Sequence, residues 1–210
     1  MKLKLILLFL IFQNITYLNA QELKDVLIEK DYTISFIGID FSECKLVGTS
    51  SDFKNAEIIK NDYFPKWNNF FYSEPEKYDV AKYLKKENVD YLIESVEILN
   101  NSVDENELVT NITPKSFALD KLQEMVNAYD VDSQNEVSMV FIVNALNKFR
   151  KNAVVNLVYF NSKTKEIIYH KELIGVPRGF GLRNYWMGAF YNILNNIKKV
   201  EYKIWKKEYK

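Results

Sequence analysis

The side chains able to do chemistry are few and scattered. His170 is the one histidine and Cys44 the one cysteine in 210 residues. A zinc site or a nucleophile–histidine relay normally draws on more imidazole and thiolate than that. Cys44 has no intramolecular disulfide partner and reads as a small buried thiol. His170 shares the Ile168, His170, Glu172, Ile174 register of a strand and reads as structural or surface. Two carboxylate pairs, Asp40 with Glu43 and Glu94 with Glu97, have the residue type of glycosidases, which set two carboxyls about 5–10 Å apart across a sugar. Acids this close in sequence are common. Asp40 carries more weight than the rest because it ends a hydrophobic strand, where α/β sheets often place ligands. No catalytic residue, metal or cofactor is assigned from this set.

The densest cluster of unusual residues is Gly175-Val-Pro-Arg-Gly-Phe-Gly-Leu-Arg-Asn-Tyr-Trp186. Three of the six glycines fall within seven residues there, which implies unusual backbone angles or close approach to another group. Gly179-x-Gly181 lacks the third glycine of a dinucleotide fingerprint and follows the last strand of a meander, which argues against nucleotide binding. A looser anion or partner site remains, in which Arg178, Gly179, Gly181, Arg183 and Asn184 converge at a helix N-terminus, with Asp40 as a separate binding candidate. The plainer reading is a strand-to-helix corner: Asn184 caps, Arg183 pairs locally, and Tyr185 and Trp186 anchor the helix on the sheet.

The hydrophobic pattern outlines the elements that must position these residues. Residues 32–41 are rich in β-branched and aromatic types and read as a buried strand. Phe53, Ala56, Ile59 and Tyr63 share a helical face; Pro65 interrupts that helix or starts the next, which carries Trp67, Phe70 and Phe71. A short helix around Val80 to Leu84 precedes a second strand at 88–99 and a polar loop at 100–112. Thr113-Pro114 has the form of a cap and first turn for a helix bearing Leu122, Met125, Val126 and Tyr129. From Val137 the period is two, and three segments ending near Ile174 form a β-meander, with turns at 150–152 and 161–165. A long helix from about Asn184 puts Trp186, Phe190, Ile193, Ile197, Val200 and Ile204 on one stripe. The expected architecture is a single α/β domain over 21–210. Its sheet is mixed but largely antiparallel, with a C-terminal three-strand meander, packed by helices.

Residues 1–20 have the form of a secretory signal peptide: Lys2 and Lys4, an apolar run from Leu5 to Phe12, and Ala20 before Gln21. Eight apolar residues span about 12 Å as a helix against a hydrocarbon core of roughly 30 Å, so no transmembrane helix is expected in the mature chain. The full chain has 28 basic and 28 acidic residues; without Lys2 and Lys4 it stands at 26 against 28. That balance offers no general field for nucleic acid. Residues 198–210 carry six lysines against Glu201 and Glu208, which suits a helix C-terminus and also an anionic surface. Asn14, Asn100 and Asn111 fit the glycosylation sequon, of little meaning in the bacterial host that the short Lys-rich leader suggests.

Strand Phe36-Ile-Gly-Ile-Asp-Phe41, then helices, Val89-Asp-Tyr-Leu-Ile-Glu94, and a meander containing Val155 to Tyr169 resemble bacterial envelope domains of the CsgG and TolB amino-terminal type. Asn161-Ser-Lys-Thr164 takes the place of their Asp-x-x-Thr-Gly-like turn, with Lys165 for the glycine. Gly179-Phe-Gly-Leu-Arg-Asn-Tyr-Trp186 resembles a motif of uncharacterised exported bacterial proteins. The resemblance implies an exported domain, periplasmic, secreted or outer-membrane-associated, that binds partners such as an envelope protein or polymer, and it carries over no catalytic residue. The chain lacks the lipidated N-terminal cysteine and the membrane-spanning hairpins of pore-forming relatives. Two other expectations stand beside this one: a hydrolase of an envelope glycan or ester using Asp40 or Glu43 with an arginine, and a peripheral membrane protein held by the basic C-terminal helix. Oligomeric state is left open.

Overall fold

The computed structural model of the chain describes residues 22–209. The expected leader at 1–20 lies outside the described residues. Seven strands form one sheet: β1 (Ile34–Asp40), β2 (Lys45–Val47), β3 (Val89–Tyr91), β4 (Val109–Thr110), β5 (Val137–Asn147), β6 (Asn152–Asn161) and β7 (Ile167–Gly175). β5 is the spine. One edge of it pairs in parallel with β1 and then with β2, which follow each other end to end, and β3 and β4 add in parallel outside them. The other edge carries the antiparallel meander through β6 to β7.

The expectation of a largely antiparallel sheet is therefore corrected. Four of the six strand pairings are parallel, and the path β3-β1-β5-β2-β4 forms a mostly parallel α/β core. The meander is present as expected, but the parallel half depends on β2, β3 and β4, each three residues or fewer, too short to impose a period on the sequence. Parallel strands need crossover connections that cover both faces. Accordingly every residue of β1 and β5 is buried, the polar Ser138 and Asn144 included. Helices Phe64–Ser73 and Gly181–Asn196 cover one face around Phe36, Phe41 and Phe141; helix Leu119–Asn127 covers the other around Ile37, Val140 and Ile142.

β3 accompanies β1 only from Ile34 to Phe36, so the outer edge of β1 beyond that point has no strand beside it. Two buried asparagines take its place. Ile39 N–H donates to Asn68 Oδ1 (2.7 Å), Phe41 N–H donates to Asn100 Oδ1 (2.6 Å), and both amide nitrogens donate to the Ile39 carbonyl at 3.0 Å. Asn68 comes from helix Phe64–Ser73 and Asn100 from helix Glu94–Asn101. The amides reach the strand at a bulge. Phe36 pairs with Met139 and Ile39 with Phe141, one residue extra on β1, which lets Phe36 and Ile39 share a face. Gly38 is at φ 106°, and a Cβ there would sit 2.7 Å from Asn68 Oδ1.

Three local expectations change for related reasons. The strand expected over 88–99 ends at Tyr91, and a helix begins at Glu94 that carries Asn100 to β1. With both ends of its amide engaged in the core, Asn100 is no exposed sequon. The helix expected at Thr113 starts at Leu119 instead, while Thr113 Oγ1 accepts from Asn147 Nδ2 (3.1 Å) and the Lys115 carbonyl accepts from Asn144 Nδ2 (2.9 Å). The C-terminal stripe holds through Ile197, but a π-helical turn at Ile197–Glu201 then rotates the helix. Tyr202 and Trp205 turn inward, and Val200 and Ile204 are left partly in solvent. Among the described residues no helix is long and apolar enough to cross a membrane.

If the two amides substitute for a strand, Asn68→Ala and Asn100→Ala each orphan a buried N–H and should cost about 1–3 kcal/mol. Urea unfolding is the measurement, with exposed Asn69→Ala as a control expected to stay within about 0.5 kcal/mol. Losses no larger than the control's would remove the amides from the account.

Candidate functional site

The two groups of candidate residues lie on opposite faces of the sheet. Asp40, at the carboxyl end of β1, is buried on the face covered by helix Leu119–Asn127. Its carboxylate accepts from Tyr129 Oη (2.5 Å) and from Ser42 N–H (2.7 Å). Burial raises the Asp40 carboxyl above its usual range, and these two hydrogen bonds pull it partly back. Tyr129 is likewise pushed up, by burial and then by the Asp40 charge. Glu43, the other member of the pair, points elsewhere and meets Lys121 at 2.9 Å. The thiol of Cys44 is buried and raised by desolvation, the state of an inert core cysteine. Asp40 thus ties the strand end to the segment after the helix, and Arg183 does not reach it.

His170 sits exposed on β7, opposite Val158. Glu94 and Glu97 lie in the first turn of their helix. Among the described residues no group of three or more His, Cys, Asp or Glu side chains is placed to hold a metal ion. A cavity of about 340 Å³ lies at the far end of the sheet, lined by Glu22, Leu23, Asn161, Glu166, Ile167 and Ile168. Burial, then the charges of Glu136 and Glu166, raise the Glu22 carboxyl.

At the corner 175–186, Gly175 and Gly179 serve packing, with a Cβ on Gly175 falling 2.5 Å from the Ala189 carbonyl oxygen. Beyond β7 the chain crosses directly over the C-terminal helix, where a Cβ on Gly188 would overlap the Arg178 carbonyl. Gly179 is at φ 129°, where a Cβ would sit 2.8 Å from the Asn184 carbonyl oxygen; Gly181, at φ 75°, starts the helix, and a Cβ there would meet nothing within 4 Å. Asn184 is not the cap. Phe180 holds that position without a side-chain bond, and Asn184 Nδ2 donates back to the Phe180 carbonyl at 3.3 Å. Arg183 packs locally, its guanidinium carbon 4.2 Å from the Phe70 ring centroid, while its carbonyl accepts from Trp67 Nε1 at 3.1 Å. Trp186 anchors the helix, buried and stacked on Phe53 with ring centroids 6.1 Å apart. Arg178 is exposed.

Two residues that sequence reasoning passed over complete this end. Phe180 is 95% exposed and Phe149, at the tip between β5 and β6, is 55% exposed. The tip leans on the corner through Lys148, whose Nζ is 4.0 Å from the Tyr185 ring centroid. The signal was present in Asn147-Lys-Phe-Arg-Lys-Asn152, a turn that places an aromatic among three cations, where a turn normally carries small polar residues. No family model, curated protein or solved structure matches the chain.

The raised Asp40 pKa fixes a sign. A carboxyl whose folded pKa exceeds its unfolded value favours the native state most when protonated, so its contribution is lost as pH rises through the folded pKa. Asp40→Asn cannot ionise. Urea unfolding from pH 4 to pH 8 should therefore show the variant gaining on the wild type as pH rises; a wild type that gains instead would mean a depressed carboxyl.

Proposed function

We propose that the chain is a non-enzymatic, exported module of the cell envelope that binds another envelope component through the carboxyl end of its sheet. The observation that carries this reading is Phe180, 95% exposed on backbone held by close packing at Gly179 and Gly188 and flanked by exposed Arg178. An apolar ring kept in water on a fixed backbone, with a second exposed phenylalanine at the same end, suits a partner's surface more than it suits the fold. The basic and apolar residues of 1–20 support export to the periplasm or beyond. The resemblance to CsgG and TolB amino-terminal domains supports a partner-binding role. At the turn where those domains carry glycine, Lys165 adopts φ 63°, and Asn161 Oδ1 accepts from the N–H groups of Lys163 and Thr164 at 3.0 Å.

Arginines 178 and 183 separate the roles. Arg183→Ala loses the contact with Phe70, worth about 0.5–1 kcal/mol at an exposed site, and should lower the melting midpoint by a few degrees. Arg178→Ala should melt as the wild type does. With a photo-reactive phenylalanine analogue at 180 in the producing cell, discrete adducts are expected in the envelope fraction and should vanish with Arg178→Ala, while the analogue at exposed Ile98 gives none. Adducts equal at both positions, or a chain retained in the cytosol, would overturn the reading.

A further inference from the structure

The chain leaves the sheet at this end from a single row of residues. Thr110 pairs with Val47, Val47 with Asn147, Asn147 with Asn152, and the next residue, Ala153, with Gly175. The loops 48–55, 111–118, 147–152 and 176–180 therefore emerge side by side. Their charge is lopsided. The hairpin tip brings Lys148, Arg150 and Lys151, the corner brings Arg178, and the other two loops add Lys54 and Lys115. The one acid in these four loops is Asp52, and its carboxylate is engaged by Thr49, accepting from the backbone N–H at 2.8 Å and from Oγ1 at 2.6 Å. Apolar side chains protrude from three of the same loops: Ile112 at 72% exposure, Phe149 at 55% and Phe180 at 95%. Every other phenylalanine among the described residues is buried or half-buried.

Resting on the binding reading above and naming its partner, we infer that this end of the sheet docks on an anionic lipid surface, with Phe149 and Phe180 entering the headgroup layer and the lysines and arginines meeting lipid phosphates. Two features favour a bilayer over a folded partner. The apolar residues stand out as separate tips, which a soft interface admits one by one, whereas a rigid partner would need a matching pocket for each. The cations share those loops with one acid, Asp52, and this excess of positive charge matches a surface of uniform negative charge. The basic C-terminal helix fits this role less well. Its aromatic side faces the body, with Trp205 Nε1 donating to Tyr169 Oη at 2.9 Å and Lys85 Nζ lying 4.1 Å from the Tyr202 ring centroid, and its exposed residues Val200 and Ile204 are aliphatic.

The test is sedimentation with vesicles of phosphatidylcholine containing equal phosphatidylglycerol, and with phosphatidylcholine alone. It uses chain purified from an exporting host, with every variant sharing one measured N-terminus. Binding is expected on the anionic vesicles and should weaken as salt is raised. The pair Phe149→Ser with Phe180→Ser should bind at least about ten-fold more weakly, as should Arg150→Glu with Arg178→Glu, while Lys203→Glu with Lys207→Glu binds as the wild type does. All six positions are exposed, and unchanged melting midpoints establish that the variants are folded. Failure to bind anionic vesicles, or binding unchanged by the phenylalanine pair, overturns the inference, as does binding abolished by the Lys203 and Lys207 pair. Protein adducts at position 180 without vesicle binding would sink the lipid assignment and leave the binding reading standing; absence of both would sink both.

Discussion

A buried strand edge must have its N–H and C=O groups paired, and β1 runs out of neighbour halfway along. β3 stops at its pairing with Phe36, and from Ile39 to Phe41 the amides of Asn68 and Asn100 do what a strand would have done. Each amide accepts at its oxygen and donates one of its two N–H groups, the same pair of bonds that a peptide unit makes. Because the two asparagines come from different helices, this one set of bonds also fixes both helices against the strand. Gly38 is the accommodation on the strand's side, giving up its Cβ to let the Asn68 amide in. With the edge sealed, β1 can end at Asp40 and β2 can resume beside β5, so the sheet continues to the row from which the loops emerge.

Much of this was legible in residue order. The meander follows from a period of two, the first strand from its run of β-branched and aromatic residues, and the start of the terminal helix from a spacing near 3.6. The parallel half was not legible, since β2, β3 and β4 are held by their partners and carry no pattern of their own. Residues 92–99 combine β-branched types with a spacing that also suits a helix, and tertiary context settles the choice by placing Asn100 at β1 and Val96 in the core. The π turn at Ile197–Glu201 changes which residues face inward without changing how apolar the stripe is, so spacing alone misplaced Val200 and Ile204.

The candidate site was half visible for a similar reason. The glycine-rich corner stood out by composition, yet Gly175 and Gly179 serve close packing, and Arg183 belongs to the Phe70 face. What the sequence could not display is juxtaposition: Phe149 and Phe180 are thirty-one positions apart and meet at one end because β6 and β7 form a hairpin pair that returns the chain there. Asp40, singled out for its place at a strand end, is the reverse case. The position is right for ligand binding in many parallel sheets, but here a tyrosine closes it.

The claim that the carboxyl end of the sheet is the binding face is tested most directly by hydrogen exchange on the exported chain, alone and with membrane vesicles made from the envelope of the producing cell. Slowed exchange confined to 147–152 and 176–184, with 94–101 and 197–208 unchanged, is the predicted result. Slowing concentrated at 197–208, or at none of these segments, would contradict it.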